Sequence, residues 1–540
     1  MRATRWKFLR RWAVFLVVTA CSAQPLTTTE PSLRISHISI DRREIADQKD
    51  SSDQDAVGWL ANKLHVLTRE QIVRNELLLR ESEPFHPGLA EESIRNLRRM
   101  GIFDEVHLRV DTVNREATTV LVETRDQLTM NVNVSYKNDG GVKNFSTGFS
   151  EDNFLGRAQH VSVSYDYNSL RTDPHGAELR FVERRAFATR WGITVQHKNS
   201  EDLLISTVLA ERPFFEERAS WSAGLYADDG RIRRRTYYNN IQIGQQDILQ
   251  QNQNVWLVYS AGKKTKARTG ISLLRTRTES SAGPLRRFDN LDLLNVSLGM
   301  VHRTWRQEKF LNNIERVEDV PYGIACDFIG GKNFRAFDIG NTGYYFQAGG
   351  VVAAEVSEGW YLSSLVAYAG YTVISNPSET TLSWSVLTHT KIFPRHLLVA
   401  RVGGVIGSAW SPGRQITLGS PSGLRGYGAN FVSGNRMLLL NVEDRLRLKV
   451  DWWILRFGAA MFADCGTAWN EGSDLARQRF YSSVGFGLRI EKSKQLGSGV
   501  IRIDAAFNTH RGGFSELILT SSHFLNGFNE IETTLPNAGR

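Results

Sequence analysis

Apolar and polar residues alternate along most of the chain after Leu128. The first clear example runs through residues 128–137, and a late one through residues 501–508, where Ile501, Ile503 and Phe507 alternate with polar neighbours. About twenty segments with the same period of two lie between residues 128 and 528, separated by turns rich in Gly, Asn, Asp and Ser. This pattern predicts an antiparallel all-β structure whose strands each have two unlike faces.

The polar faces of these strands favour a transmembrane barrel over a soluble β-sandwich. Arg502 and Asp504 share one face of a strand, which suits a water-filled lumen, while the opposite face is apolar. Six aromatic residues flank such segments, as in the aromatic girdles at membrane interfaces: Trp360, Tyr361, Trp384, Trp410, Trp452 and Trp453. We therefore predict an outer-membrane β-barrel over residues 128–540. With no run of 18 apolar residues and a mean hydropathy of −0.31, the sequence predicts no bundle of transmembrane helices.

The residues before the barrel follow a different pattern. Leu33–Ile40 alternates like a strand, Thr68 and Gln71 form a candidate helix capping box, and a second helix is predicted after Pro87 and before Gly101. Two further strands are predicted around residues 106–110 and 118–123. The order strand, helix, helix, strand, strand predicts a small α+β domain, preceded by a polar stretch, within residues 24–127.

The first 23 residues have the layout of a secretory signal peptide. A basic start is followed by the short apolar run Trp12–Ala20 and by small residues. Cys21 leaves two alternatives open, ordinary cleavage after Ala23 or acylation of Cys21 as in lipoproteins. The chain is therefore expected to leave the cytoplasm.

Charge and cysteine content exclude two other classes. Five of the cations that give the formal net charge of +9 lie in the first eleven residues, so the remainder carries only +4 and nucleic acid is not an expected partner. Apart from Cys21, the chain contains only Cys326 and Cys465. A disulfide framework is therefore not expected to hold the exported protein together.

A glycine-rich loop near the end of the chain is the candidate functional site. Alternation in the strands that follow points Glu443 and Asp464 into the lumen. Inward glycines leave space there, at Gly458, Gly466, Gly485 and Gly487. We predict that the loop folds back into the barrel, that Arg425 reaches Asp464 or Glu443, and that Tyr427 packs against the wall. An exposed turn with an incidental arginine is the alternative.

Several ordered motifs resemble the BamA/TamA superfamily, the bacterial surface antigen family. They are Glu151–Arg157, Leu424–Tyr427, Gly434–Arg436, Asn441–Glu443, Phe462–Gly466 and Val484–Gly487, together with "LRRMGIFDEVHLRV" at Leu97–Val110, which resembles a POTRA domain. The resemblance implies a sixteen-stranded barrel with a lumen loop at 406–434, so the extra segments are assigned to loops such as Arg303–Gly343. It also implies site residues in the loop tip and on the wall: Leu424, Arg425, Gly426, Tyr427, Glu443, Asp464 and Gly466.

By the same resemblance, the protein is expected to insert or export polypeptides at the outer membrane of a Gram-negative bacterium. A POTRA domain in the periplasm would capture unfolded clients, with the lipid bilayer and periplasmic or lipoprotein factors as further partners. Only one POTRA-like module is visible, which leaves the subfamily open. No enzyme motif, cofactor or metal site is expected. A passive outer-membrane channel and a structural or adhesive surface antigen are the alternatives.

Overall fold

The fold comprises a small α+β domain followed by a barrel. The computed structural model describes residues 33–46, 56–112, 117–139, 142–238, 240–280, 290–312, 314, 317–334, 343–373, 376–410, 414–452, 455–492, 500–510 and 512–520. The predicted signal peptide and the chain after residue 520 lie outside these residues. The elements of the first domain are β1 (Arg34–Arg43), α1 (Ala56–Leu64), α2 (Glu70–Glu76), α3 (Pro87–Arg99), β2 (Phe103–Thr112) and β3 (Ala117–Asp126).

The α+β domain is built on a three-stranded sheet in the order β1-β3-β2. Strands β1 and β3 run parallel, whereas β2 and β3 form an antiparallel hairpin. Helices α2 and α3 cover one face of this sheet, where Val73, Leu97, Phe103 and Val120 are almost fully buried. Because α3 places its apolar residues at spacings of three and four, it turns one continuous stripe toward the sheet. Helix α1 lacks a counterpart in the sequence prediction.

Twenty antiparallel strands close the barrel. They are β4 (Met130–Asp139), β5 (Val142–Phe154), β6 (Gln159–Asn168), β7 (His175–Glu183), β8 (Gly192–Ser200), β9 (Leu203–Arg212), β10 (Trp221–Tyr238), β11 (Ile241–Ala261), β12 (Thr265–Ser280), β13 (Leu291–Lys309), β14 (Val317–Asn333), β15 (Gly343–Ser357), β16 (Trp360–Val373), β17 (Asn376–Phe393), β18 (His396–Ser408), β21 (Arg436–Trp452), β22 (Leu455–Trp469), β23 (Tyr481–Lys492), β24 (Val500–Asn508) and β25 (Phe514–Thr520). Two short strands, β19 (Ile416–Leu418) and β20 (Val432–Gly434), pair with each other within the segment between β18 and β21.

The predicted number of sixteen strands is wrong. The segment count from alternation was close to the observed twenty, and the smaller number came only from the family resemblance. In particular, Arg303–Gly343 is not a long loop, since it contains β14, which pairs with β13 over seventeen residue pairs. Regular alternation was therefore the more reliable guide to strand number.

Alternation along the strands gives the barrel an apolar outer surface. Large side chains such as Val255, Leu298 and Phe486 are more than half exposed there, as expected of a surface covered by lipid rather than water. Of the predicted girdle residues, Trp360 and Trp452 are exposed. Tyr361 is instead 3% exposed and donates a hydrogen bond to Glu308 at 2.8 Å, so its place in the girdle was wrong.

Among the residues that the structure describes, no helix has the length and apolar character needed to cross a membrane.

The α+β domain lies against one end of the barrel. It contacts the β5–β6, β7–β8 and β9–β10 turns and the start of β14. Two bidentate ion pairs join the two parts. Arg98 donates to Asp319 at 2.8 and 2.9 Å, and Arg185 donates to Glu76 at 2.6 and 2.5 Å. Glu92 of α3 accepts a hydrogen bond from the backbone of Glu217 in the β9–β10 turn, and burial raises the pKa of its carboxyl group. We call this end the domain end of the barrel.

The predicted capping box at Thr68 and Gln71 does not form. The Thr68 hydroxyl donates to Asp126 at 2.7 Å, and Gln71 donates to Asn75. Thr68 also accepts a hydrogen bond from Asn153 at 2.9 Å, which ties the α+β domain to the end of the first barrel hairpin. The hydroxyl is therefore used for a contact between domains and not for the helix end.

Candidate functional site in the barrel lumen

The segment between β18 and β21 folds back into the barrel. Leu418 and Leu424 are fully buried and pack with Tyr427, Leu439 and Ala468, so the loop forms an apolar core with the wall. The backbone of Ser420 donates to the Tyr427 carbonyl at 3.0 Å, which closes the tip of the loop on itself. The tip residues 424–427 are thereby held inside the lumen.

Arg425 binds three carboxylates at the loop tip. Its Nε and Nη2 atoms donate to Asp464 at 2.7 and 2.9 Å, and its Nη1 atom lies 3.0 Å from Glu443 and 3.4 Å from Asp504. The guanidinium also stacks on Phe462, with 3.5 Å between Cζ and the ring centroid. All three acids and Arg425 are at most 1% exposed. A bidentate pair between buried ions is strong because the surroundings screen it weakly.

Three further arginines extend this group into a lumen charge network. Arg489 bridges Asp504 at 2.6 Å and Glu443 at 3.1 Å, and Arg445 binds Glu443 at 2.9 Å. Arg502 approaches Asp504 at 3.3 Å. The seven side chains come from the loop and from β21, β22, β23 and β24, so four neighbouring strands of the wall hold one loop residue. We define the lumen charge network as Arg425, Glu443, Arg445, Asp464, Arg489, Arg502 and Asp504.

Gly426 and Tyr427 fix the backbone of the tip. Gly426 has a φ of 81°, a conformation that favours glycine, and its N–H donates to Glu516 of β25 at 2.6 Å. A Cβ there would lie 3.4 Å from Ala506, so the backbone passes close to the wall. The Tyr427 hydroxyl donates to the Ser482 carbonyl at 2.8 Å. The loop thus also binds the last strand of the barrel.

The inward glycines make room for these contacts. A Cβ at Gly466 would lie 3.0 Å from Leu418 of the loop, and one at Gly485 would overlap the Phe462 ring that stacks on Arg425. A Cβ at Gly487 would overlap the Asp504 carboxylate. These glycines are therefore required by the loop and its charge network.

We predict that Gly485→Ala destabilises the barrel by about 1–3 kcal/mol, because the added methyl group must displace Phe462 or the Ala505 backbone. The measurement is urea unfolding of the purified barrel. Gly244→Ala is the matched control, since its Cβ would meet only Thr236 at 3.9 Å. Equal unfolding midpoints for the two variants would contradict the prediction.

The turn between β13 and β14 enters the lumen from the domain end. Leu311 and Ile314 are 1% and 6% exposed. The Leu311 carbonyl accepts from Arg445 at 3.0 Å, and the Ile314 N–H donates to Glu491 at 3.1 Å. Arg445 therefore joins this turn to the same Glu443 that binds Arg425.

The structure places every sequence-predicted site residue in this region. Arg425 contacts both Asp464 and Glu443, and Leu424, Gly426, Tyr427 and Gly466 surround that contact. Sequence reasoning missed the roles of Arg445, Arg489 and Glu516. All three lie on inward faces, and Glu516 is 2% exposed within β25. Their position on the polar face was the available signal.

The described residues contain no group of three or more histidine, cysteine and carboxylate side chains arranged to hold a metal ion. Cys326 and Cys465 are free thiols. The network carboxylates are instead neutralised by arginines. The arrangement thus holds a loop in place by ion pairs.

The closed antiparallel barrel has the arginine-tipped lumen loop that the resemblance to the BamA/TamA superfamily implies. The chain is similar to a curated relative, "Outer membrane protein assembly factor BamA" of Neorickettsia risticii (strain Illinois), which is 28% identical over 140 residues. That match covers 25% of this chain and 18% of the relative. No protein-family model matches the chain.

Three solved structures are similar to the chain, each at 12% sequence identity. BamA from Haemophilus ducreyi lacking POTRA domains 1–3 covers 91% of this chain and 85% of its own, with a TM-score of 0.37. CdiB from Acinetobacter baumannii covers 91% and 74%, with a TM-score of 0.45. CdiB from Escherichia coli covers 93% of both chains, also with a TM-score of 0.45.

Proposed function

We propose that the protein inserts or exports polypeptides at the outer membrane of a Gram-negative bacterium, without nucleotide hydrolysis and without enzymatic activity. The α+β domain acts as a POTRA domain in the periplasm, and the barrel lies in the lipid bilayer. The name of the curated relative, an assembly factor, supports this broad function. Periplasmic or lipoprotein factors are further partners in this proposal.

The observation that carries the proposal is the short contact that closes the barrel. Strand β25 pairs with β4 through only two described residue pairs, Ile518 with Lys137 and Leu519 with Tyr136. Neighbouring β4 and β5 pair through ten. Each ladder pair contributes hydrogen bonds and side-chain packing, so among the described residues this seam is the weakest join in the wall. A weak seam supports a role in which a client strand enters between β25 and β4.

The edge of the domain sheet supports client capture. Among the described residues, β2 pairs only with β3, so its other side offers backbone donors and acceptors. An extended polypeptide binds such an edge by adding a strand, which recognises backbone and tolerates many sequences. Unfolded clients are the partners that this surface suits.

The two alternatives have less support. A passive channel requires an open lumen, whereas here the loop and the β13–β14 turn are both buried in it. Long loops such as Arg303–Gly343 would suit a surface antigen, but this segment contains β14.

Depletion of the protein tests the proposed function. We expect barrel proteins to fall in the outer-membrane proteome if the protein inserts them, or secreted proteins to fall in the medium if it exports them. The measurement is quantitative proteomics of both fractions, with re-expression of the intact chain as the control. No change in either fraction would reject the proposal.

A further inference from the structure

A cationic cavity lies at the domain end of the barrel, apart from the lumen charge network. The β11–β12 turn and the inward faces of β12 and β13 contribute five cations to it, while the β9–β10 segment contributes two carboxylates. The lining cations are Lys263, Lys264, Lys266, Arg268 and Arg303, and the acids are Glu216 and Glu217. This excess of positive charge favours an anion.

Buried donors without partners point into this cavity. Arg268 Nε and Nη1 and the Ser260 hydroxyl are buried and have no hydrogen-bond partner among the described residues. Ser260 as a whole is only 5% exposed, and both residues line the cavity. Because a buried donor without an acceptor is costly, such a group calls for an acceptor that completes the site.

Other contacts hold the cavity in shape. The Arg268 guanidinium lies over the Phe214 ring, with 4.0 Å between Cζ and the centroid. Glu217 is engaged by α3, since Arg95 lies 3.4 Å from its carboxylate. Lys266 donates to the Gly262 carbonyl at 2.6 Å, which orders the turn that carries Lys263 and Lys264.

Two features favour a carboxylate of a polypeptide over a lipid headgroup. Ser260 lies on the inward face of β11, whereas its neighbour Tyr259 is 57% exposed on the outer face, so the ligand approaches from the barrel mouth and not from the lipid. The cavity volume of about 30 Å³ is a small multiple of the space that one water needs, which fits a group with two oxygen acceptors.

We propose that Ser260 and Arg268, with Lys263, Lys264 and Lys266, bind an aspartate or glutamate side chain of a polypeptide at the barrel mouth. This site rests on the proposed function, for which it supplies a preference for acidic client segments. Arg268 donates to the carboxylate oxygens, Ser260 completes the contact, and the exposed lysines attract the segment from solution. Binding therefore weakens as salt is added.

The test is a titration of the full chain in detergent micelles with a fluorescein-labelled peptide of alternating Glu and Gly residues. Anisotropy is compared with that of the same peptide carrying Gln for Glu. We expect the acidic peptide to bind about tenfold more tightly than the Gln peptide, and Arg268→Gln to remove about tenfold of this affinity. Equal binding of the two peptides, or an unchanged affinity in Arg268→Gln, would overturn the site.

Heat-dependent migration in gels shows whether Arg268→Gln folds. If it does not, variants at exposed positions of the cavity still test the site. The double variant Lys263→Gln/Lys264→Gln is expected to weaken acidic-peptide binding several-fold. Lys449→Gln is the matched control, because it removes one exposed cation at the domain end of β21, away from the cavity. It is expected to leave peptide binding unchanged. Tighter binding of inorganic phosphate than of the peptide would show the ligand class to be wrong. If the acidic peptide does not bind but depletion still lowers the outer-membrane or secreted proteins, the site alone is rejected and the proposed function stands.

Discussion

A disulfide between cysteines placed at Tyr136 and Leu519 is expected to abolish client transport while the barrel remains folded. These residues face each other in one of the two described pairs that join β4 to β25, so their Cα separation suits a disulfide. The bond would prevent the seam from opening. Transport of clients is measured with the bond oxidised and again after reduction, with Cys326 and Cys465 changed to serine, and reduction is expected to restore activity.

The matched control moves one cysteine to the opposite neighbour of the same residue. Tyr136 also pairs with Phe145 of β5, so cysteines at Tyr136 and Phe145 form a bond of the same type within the hairpin. This control is expected to transport normally when oxidised. Full activity of the oxidised Tyr136–Leu519 pair would reject entry of clients through the seam, although the barrel itself would stand.

Arg425→Ala is expected to release the lumen loop and to lower transport. The substitution leaves Asp464, Glu443 and Asp504 buried near each other without their shared cation. Removing one partner of a buried ion pair costs roughly 3–5 kcal/mol, and water in the lumen reduces that figure. We expect a lower unfolding midpoint and new trypsin cleavage sites in the loop, read by limited proteolysis and mass spectrometry.

Arg401→Ala separates this effect from the loss of any lumen cation. Arg401 shares the inward face of β18 with buried Val399 but is itself exposed, so its removal is expected to leave loop and transport unchanged. Adding Asp464→Asn to Arg425→Ala is expected to recover part of the lost stability, since one stranded charge disappears. Wild-type protease resistance in Arg425→Ala would mean that the charge network does not hold the loop.

Alternation carried most of what could be predicted about the barrel. The inward direction of Glu443 and Asp464 followed from the period of two, because successive side chains of a strand point to opposite faces. In a barrel, one of these faces contacts lipid and the other lines the lumen. The predicted number of strands was wrong only because the number implied by the family resemblance replaced the count of alternating segments. Helix α1 was missed because its short apolar stretch, Ala56–Leu64, follows a polar segment and has no predicted cap.

The loop position was predictable, but most of its contacts were not. Arg425 stood out between glycines, and acids on two inward faces offered partners. Which of the many inward charges meet depends on how neighbouring strands are staggered, and sequence alone does not give that stagger. Glu516 illustrates this limit, because it looks like a defect in an apolar strand until the loop backbone is placed beside it. Thr68 likewise had two plausible uses, and tertiary contact decided between them.

Arg445 gives the barrel a mechanical link between its two ends. One guanidinium holds the Leu311 carbonyl in the turn beside the α+β domain and the Glu443 carboxylate that anchors the opposite loop. A force that pulls the domain away, through Arg98 and Asp319 on β14, would strain the same hairpin. Tension applied to the α+β domain would thus be transmitted to the lumen loop at the opposite end of the barrel without any strand leaving the wall.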